Sequence, residues 1–248
     1  MTRHALVIGA QRCGTTLLYE LLDAHPDILM ARPRRPEPKV FLSEELTAKG
    51  IDWYRDTYFR DRTTEAVLAE KSTSYLEDAA APARAARMLG RCHVIVQLRD
   101  PVRRAVSNWR FSAANGVEER PLGQALEESL AGPRAWDPEQ TSVSPFAYLE
   151  RGRYLDDLEP WLAQFGDRVL VRFLEDEPLS SEQIRDLYTS LGVDPSFRPD
   201  LPSERVNVSE GAEPSLDPVL EARLRDYFAA SDLGLAQRLG RELPWNAR

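Results

Sequence analysis

The sequence has few cysteines and no segment that would cross a membrane. Only Cys13 and Cys92 occur in 248 residues, which is too few for a disulfide framework. No run of about 18 apolar residues is present, and the apolar segment HALVIG (4–9) follows without a signal-peptide core. We therefore expect a cytoplasmic protein with no membrane partner.

Acidic side chains outnumber basic ones, and lysine is scarce. The 32 basic and 40 acidic side chains give a formal net charge of −8, which disfavours broad binding to nucleic acids. A bound polyanion would instead need a local basic pocket. Only three of the basic residues are lysines, namely Lys39, Lys49 and Lys71. A lysine in a pocket is therefore of special interest.

The hydrophobic pattern alternates between strands and helices. Four apolar segments have the length of buried strands: HALVIG (4–9), AVLAEKS (66–72), HVIVQL (93–98) and DRVLVRFLED (167–176). Eight further segments favour helices: 15–24, 51–59, 79–89, 101–114, 122–131, 152–166, 181–193 and the tail from 216. HPDI (25–28) and ARPRRPEPK (31–39) contain prolines and are expected to be loops.

This alternation predicts an α/β fold with a P-loop-like, doubly wound, mainly parallel sheet flanked by helices, in a single domain over residues 1–248. Ligands of such sheets bind beyond the carboxyl ends of the strands. The loops that follow the first predicted strand and the HVIVQL strand are therefore the first places to look for chemistry.

The first of these loops, GAQRCGTT (9–16), has the spacing of a phosphate-binding loop that opens a helix. A nucleoside-triphosphate loop would carry lysine where Thr15 stands, and here the cation comes earlier, at Arg12. The loop predicts an anion site, and the missing lysine weakens the case for ATP or GTP as its ligand. Cys13 has no histidine partner and is interpreted as a small filler.

The second loop, RDPVRRAVS (99–107), starts at the end of the HVIVQL strand. Asp100 and Pro101 form a helix start, with a carboxylate cap and proline at the first helical position. Arg99 and Ser107 are candidates for gripping a second phosphate, as a planar fork and a hydroxyl donor. The alternative is that Arg99 pairs with a carboxylate and Ser107 merely packs in the helix.

The pair GAQRCGTTLLYELLDAHPDI and LRDPVRRAVSNW resembles the two signatures of sulfotransferases that use 3′-phosphoadenosine 5′-phosphosulfate (PAPS). EKSTSYL, RGRYLDDLEPWLAQFGDRVLVRFLED and ERVNVSEG resemble later segments of the family. The resemblance reaches to about residue 211 and is strongest to heparan-sulfate and tyrosylprotein sulfotransferases and to bacterial members. It implies sulfuryl transfer by in-line displacement, without a required metal, and adenosine 3′,5′-bisphosphate as the product.

The resemblance also implies roles for individual residues. The first loop would hold the 5′-phosphosulfate, with Arg12 on the leaving oxygen, and the second would hold the 3′-phosphate. Glu37 matches the catalytic base, although Pro36 replaces the usual lysine before it. Lys71 matches a lysine near the transferring group. The implied nucleotide-binding residues are Arg12, Cys13, Gly14, Thr15, Thr16, Arg99, Ser107, Tyr154 and Asn207.

Simpler interpretations of these residues remain open. Glu37 would otherwise be a solvated loop carboxylate, with Glu44 and Glu45 as the next candidates for a base. Lys71 would be a surface lysine, and Tyr154 a core aromatic on an amphipathic helix.

The predicted acceptor is a hydroxyl, less readily an amine, of a small molecule, saccharide or tyrosine-like group. The setting that fits is a bacterial cytoplasmic enzyme, and the oligomeric state is left open. The alternatives are a P-loop kinase of small metabolites, which the missing lysine disfavours, and a nucleotide-binding module without catalysis.

Overall fold

The computed structural model describes residues 2–137, 144–177, 180–200 and 215–246. Its sheet has five strands, β1 (Arg3–Gly9), β2 (Ile28–Met30), β3 (Val67–Lys71), β4 (His93–Leu98) and β5 (Val169–Phe173). Their order is β2-β3-β1-β4-β5, and every neighbouring pair is parallel. The predicted α/β class with a mainly parallel sheet is confirmed.

The described residues also form nine α-helices: α1 (Thr15–Asp23), α2 (Glu44–Ala48), α3 (Gly50–Tyr58), α4 (Ala81–Leu89), α5 (Pro101–Ala114), α6 (Leu122–Ser129), α7 (Tyr154–Phe165), α8 (Ser181–Leu191) and α9 (Pro218–Leu239). All eight predicted helices are present, and α2 is additional. Within the described part of the chain, no helix is both long and apolar enough to cross a bilayer.

The chain divides into two compact units. The first contains Met1–Leu98 and Asp157–Val206, and the second contains Arg99–Asp156 and Asn207–Arg248. All five strands belong to the first unit. The single domain expected from the sequence stays a prediction.

Helices cover both faces of the sheet in the first unit. Alternate side chains of β1 point to opposite faces. Val7 packs in a buried cluster with Leu18 of α1 and Leu187 of α8. On the other face, Tyr54 of α3 lies against His4. Because both faces are covered, the strands are apolar almost throughout, and this explains their strong signal in the sequence.

One loop prediction is wrong in part. HPDI was expected to be a loop, but Ile28 begins β2, which pairs with Val67–Ala69 of β3. The strand has only three residues, which is too short for an alternation of polar and apolar side chains to show. The loop prediction for 31–39 is confirmed, since no regular element occurs there.

The second unit has its own apolar core, to which α5, α6 and α9 contribute. Val106, Leu126 and Phe228 are members of this cluster. The predicted start of α5 is confirmed, because Asp100 Oδ1 accepts hydrogen bonds from the amides of Val102 (2.9 Å) and Arg103 (3.4 Å).

A buried histidine lies in the first unit at the start of the sheet. His4 is 5% exposed, and its Nε2 accepts a hydrogen bond from Arg55 Nε at 3.3 Å. Burial, with a smaller contribution from the Arg55 charge, lowers the pKa of His4 from 6.5 to about 4. The folded protein therefore holds this imidazole neutral at pH values where the unfolded chain protonates it.

We expect this histidine to make stability fall with acidity. Between pH 6.5 and 4 the unfolded state binds the extra proton, so the free energy of unfolding decreases as pH falls. From pH 7 to pH 5 the loss due to His4 should be about 2 kcal/mol. Urea unfolding at both pH values measures it.

His4→Gln is the matched control, because glutamine still offers an oxygen to Arg55 but does not titrate. Its stability should fall less over the same pH interval. Equal losses in the variant and the natural chain would assign the acid sensitivity to other groups.

Candidate active site

The loop between β1 and α1 is bonded to the end of β4. Ala10 donates its amide hydrogen to the Gln97 carbonyl at 2.9 Å, and Gln97 Nε2 donates to the Cys13 carbonyl at 2.7 Å. Gln97 is 1% exposed. One buried residue thus fixes both the beginning of the loop, through its backbone carbonyl, and the end of the loop, through its side-chain amide.

The two glycines of the loop are required by space and by backbone geometry. Gly14, just before α1, has φ of 77°, and a Cβ there would lie 2.8 Å from both Gln97 Nε2 and Leu174 Cδ1. A Cβ on Gly9 would lie 2.9 Å from Leu76 Cβ. Any side chain at either position would push the loop away from the sheet.

The loop ends at the N-terminus of α1, whose first turn carries no acidic residue. The N-cap residue is Gly14, so no side chain caps the first amides of the helix. The helix dipole and the amides of Thr15 and Thr16 therefore offer a positive potential to an anion. Arg12 precedes them with φ of 68°.

Cys13 has a packing role in this loop. Its side chain is fully buried, and Sγ lies 3.6 Å from the Gln11 carbonyl, to which it donates. A buried thiol at this position fills space between the loop and the sheet. This agrees with its interpretation as a filler. Its amide donates to the Ala10 carbonyl at 3.3 Å and its carbonyl accepts from Gln97, so the backbone of Cys13 shapes the loop, and its predicted contact with the nucleotide stays a prediction.

Glu37 is held in one orientation by the segment that follows β3. Its Oε1 pairs with Lys71 Nζ, and its Oε2 accepts hydrogen bonds from the Thr73 amide at 2.9 Å and from Thr73 Oγ1 at 3.1 Å. The side chains of Glu37 and Lys71 are 17% and 12% exposed. Glu37 is therefore a mostly buried, ordered carboxylate, and not a solvated one.

The Glu37 cluster and the phosphate-loop candidate are linked within the first unit. Gln11 Nε2 donates to Ser74 Oγ at 3.3 Å, and Ser74 follows directly after Thr73. The structure thus brings the loops after β1 and β3 together, as the carboxyl ends of neighbouring parallel strands require.

The two alternative carboxylates are on the surface. Glu44 pairs with Arg84 and Arg87, and the Glu45 side chain is 86% exposed, 4.0 Å from Lys49. Both belong to the first turn of α2. Their setting is a solvated helix start, and neither is ordered as Glu37 is.

A further charged residue, Glu70, escaped the sequence analysis. It is fully buried on β3 and accepts hydrogen bonds from Tyr54 Oη (2.5 Å), Ser72 Oγ (2.7 Å) and Tyr75 Oη (2.6 Å). Burial raises its pKa, and the three hydroxyl donors oppose that shift. The signal in the sequence was an acidic residue inside the apolar run AVLAEK.

The second loop lies in the second unit. The Asp100 carboxylate receives two hydrogen bonds from Arg225, at 2.7 and 2.8 Å, besides capping α5. Tyr154 is fully buried, and its hydroxyl donates to the Arg99 carbonyl at 2.7 Å. Tyr154 therefore fixes the backbone at Arg99. Ser107 is half-buried in α5.

Asn207 and most of the ERVNVSEG segment that contains it lie outside the described residues. The predicted contact of Asn207 with a nucleotide stays a prediction.

Replacing Gly14 by alanine tests the geometry of the first loop. Left-handed backbone costs an alanine about 1–2 kcal/mol, and overlap with Gln97 and Leu174 should add roughly 1–3 kcal/mol. Gly240 has similar backbone angles, φ of 64° and ψ of 26°, with no atom within 4 Å of a Cβ. Urea unfolding should show Gly14→Ala to be clearly more destabilised than Gly240→Ala. Equal losses would mean that the space around Gly14 is not limiting.

Comparison with known proteins agrees with this geometry. The sulfotransferase domain family matches residues 2–183, well over half of the chain. Human bifunctional heparan sulfate N-deacetylase/N-sulfotransferase 3 is 34% identical over 163 residues, covering 64% of this chain and 18% of that protein. Mouse heparan sulfate glucosamine 3-O-sulfotransferase 3A1 is 35% identical over 163 residues, covering 65% of this chain and 38% of that protein. The matches thus span less than half the length of these relatives.

A solved structure shows the same fold along the entire chain. The crystal structure of a sulfotransferase from Alicyclobacillus acidocaldarius superposes with a TM-score of 0.79 at 23% identity, covering 100% of both chains. The resemblance inferred from the two loop motifs is confirmed, and the chain belongs to the sulfotransferase family.

Proposed function

We propose that this chain transfers a sulfuryl group from PAPS to a hydroxyl of a saccharide, a small molecule or a tyrosine-like acceptor. The observation that carries the proposal is the ordered Glu37 carboxylate, which Lys71 and Thr73 hold beside the phosphate-loop candidate. A phosphate loop alone would fit any nucleotide-binding protein. A fixed carboxylate next to it adds the base that a neutral hydroxyl needs.

The first loop fits the phosphosulfate end of the donor. An anion at the N-terminus of α1 would meet the amides of Gly14, Thr15 and Thr16 and no acidic side chain in the first turn. When bound, PAPS supplies an activated sulfuryl group and a phosphate that can leave. Arg12 would balance the negative charge that this phosphate gains.

Glu37 and Lys71 would act on the acceptor side. Glu37 takes the proton that the acceptor hydroxyl loses as its oxygen bonds to sulfur. Lys71, which already pairs with Glu37, would offer its ammonium group to the sulfuryl oxygens. Thr73 keeps the carboxylate oriented through Oε2 while Oε1 exchanges partners.

The second loop would take the 3′-phosphate of the nucleotide. Arg99 offers a planar guanidinium and Ser107 a hydroxyl donor. The two oxygens of Asp100 receive paired hydrogen bonds from Arg225. Tyr154 supports Arg99 through the backbone, and Asn207 completes the proposed set.

The acceptor class follows the relatives. The names of the two human and mouse proteins specify heparan sulfate, an acidic saccharide. We propose a hydroxyl acceptor, as the name of the 3-O-sulfotransferase specifies, and an amine, as the name of the N-sulfotransferase specifies, is the alternative. The proposed reaction requires no metal.

The donor can be identified by ligand-dependent stability. Adenosine 3′,5′-bisphosphate at one hundred times its dissociation constant should add about 2.7 kcal/mol to the free energy of unfolding. ATP with magnesium should add much less, because Thr15 replaces the lysine of an ATP-binding loop. Thermal unfolding with each ligand measures this. Equal or greater stabilisation by ATP and magnesium would contradict the donor assignment and favour a kinase.

Removal of the base separates catalysis from binding. Glu37→Gln should lower the rate of sulfuryl transfer by roughly 10²–10⁴-fold, because the amide cannot take a proton. The affinity for adenosine 3′,5′-bisphosphate should stay within about threefold of the natural chain, because Glu37 is proposed to act on the acceptor and not on the nucleotide.

Glu45→Gln is the matched control, an acidic residue exposed on α2. It should leave both the rate and the affinity unchanged. A Glu37→Gln chain with full activity would place the base elsewhere, and a natural chain that binds the bisphosphate without any transfer would indicate a binding module.

A further inference from the structure

The fully buried Glu70 has no role in the chemistry described above, yet it lies next to Lys71 on β3. Successive residues of a strand point to opposite faces, and here Lys71 pairs with Glu37 while Glu70 enters the core. The three groups that donate hydrogen bonds to it within the described residues are hydroxyl groups, with no arginine or lysine among them. A charged side chain in that setting is costly unless it is well hydrogen-bonded.

Glu70 sets the orientation of the hydroxyl groups that donate hydrogen bonds to it. A hydroxyl group has a single hydrogen to donate, and Ser72 and Tyr75 each donate theirs to Oε1 of Glu70. The oxygen lone pairs of both hydroxyls are then available to accept from other groups. Glu70 thereby decides which way two neighbouring hydroxyls point.

Both of these lone pairs are used by the loop that carries Glu37. Ser72 Oγ accepts the amide hydrogen of Lys39 at 2.9 Å, and Tyr75 Oη accepts the amide hydrogen of Phe41 at 3.2 Å. These amides follow Glu37 by two and four residues. Two hydrogen-bonded chains therefore run from the buried carboxylate to the backbone just after the proposed base.

We propose that Glu70 is a positioning residue for Glu37, acting through Ser72 and Tyr75 on the backbone of residues 39–41. The inference rests on the proposed function for the role of Glu37. Lys71 and Thr73 hold the carboxylate of Glu37 directly, and the Glu70 network holds the chain from which that carboxylate extends. A displacement of about 1 Å at a reacting group can cost on the order of a hundredfold in rate.

Tyr54 provides an internal comparison. Its hydroxyl donates to Oε2 of the same carboxylate at 2.5 Å, but the contacts of that hydroxyl do not extend to residues 39–41. Tyr54→Phe therefore removes a buried hydrogen bond of Glu70 without removing an acceptor of the Glu37 loop. Tyr75→Phe and Ser72→Ala each remove one such acceptor, and both phenylalanine variants keep the aromatic ring.

The experiment compares these three variants with the natural chain in three measurements. Amide hydrogen exchange should become faster at Lys39 in Ser72→Ala and at Phe41 in Tyr75→Phe, and should stay unchanged at both amides in Tyr54→Phe. The kcat of sulfuryl transfer should fall about tenfold or more in the first two variants and less than about threefold in Tyr54→Phe. Affinity for adenosine 3′,5′-bisphosphate, measured by titration, should stay within about threefold in all three.

Two results would overturn the proposal. One is unchanged exchange of both amides in Ser72→Ala and Tyr75→Phe. The other is a loss of kcat in Tyr54→Phe equal to that in the other two variants, since Glu70 would then serve core stability alone. Glu70→Ala supplies an independent check, because it removes Oε1, the acceptor of both hydroxyl hydrogens, and it should speed exchange at both amides.

Failure of the proposed function gives a different result. If the natural chain binds the bisphosphate and transfers nothing, the exchange rates still decide whether Glu70 orders residues 39–41. If transfer occurs and Glu37→Gln retains it, Glu70 has no base to position and this inference is wrong.

Discussion

The segment EKSTSY (70–75), which begins on β3, constrains two loops of the candidate site in the first unit. One is the loop that carries Glu37, and the other is the phosphate-loop candidate. Lys71 and Thr73 bind the Glu37 carboxylate, Ser72 and Tyr75 bind backbone amides two and four residues beyond it, and Ser74 binds Gln11 of the phosphate-loop candidate. The backbone of this segment is itself anchored, since the amide of Ser72 donates to the Val7 carbonyl at 3.1 Å. The orientation of the proposed base thus depends on a segment fixed to the sheet, and not on the loop's own stiffness.

Charge in this region is arranged in opposite ways on the two faces of one strand. Glu70 is buried among hydroxyl groups, which spread its charge over neutral donors, and burial raises the pKa of Tyr54 and Tyr75 well above 10. Those two phenols therefore stay protonated and keep donating. Lys71 faces a carboxylate instead, and the pair is mutually neutralising. A single strand thereby supplies a buried carboxyl group that orders hydroxyl groups on one face and a lysine that pairs with Glu37 on the other.

The sequence predicted the sheet, eight of the helices and the two loops because each rests on local patterns. Continuous apolar runs such as HVIVQL mark buried parallel strands, glycine spacing marks the first loop, and Asp100 with Pro101 marks the start of α5. Short elements such as β2 carry too few residues for such a pattern. Glu37 and Lys71 could be singled out as candidates, but their contact joins residues 34 positions apart, and local patterns do not contain such distances. Glu70 was overlooked because a buried acid shows its partners only in three dimensions.

The Asp100–Arg225 pair bears on where this protein can be shortened. The family match ends at residue 183, yet α9 supplies Arg225 to the carboxylate that caps α5 and supplies Leu224 and Phe228 to the core of the second unit. A recombinant fragment cut at that boundary would keep Asp100, whose side chain is 6% exposed, without its paired guanidinium hydrogen bonds. It would also expose one wall of an apolar core to water. We therefore expect a folding fragment to extend through α9, beyond the end of the family match.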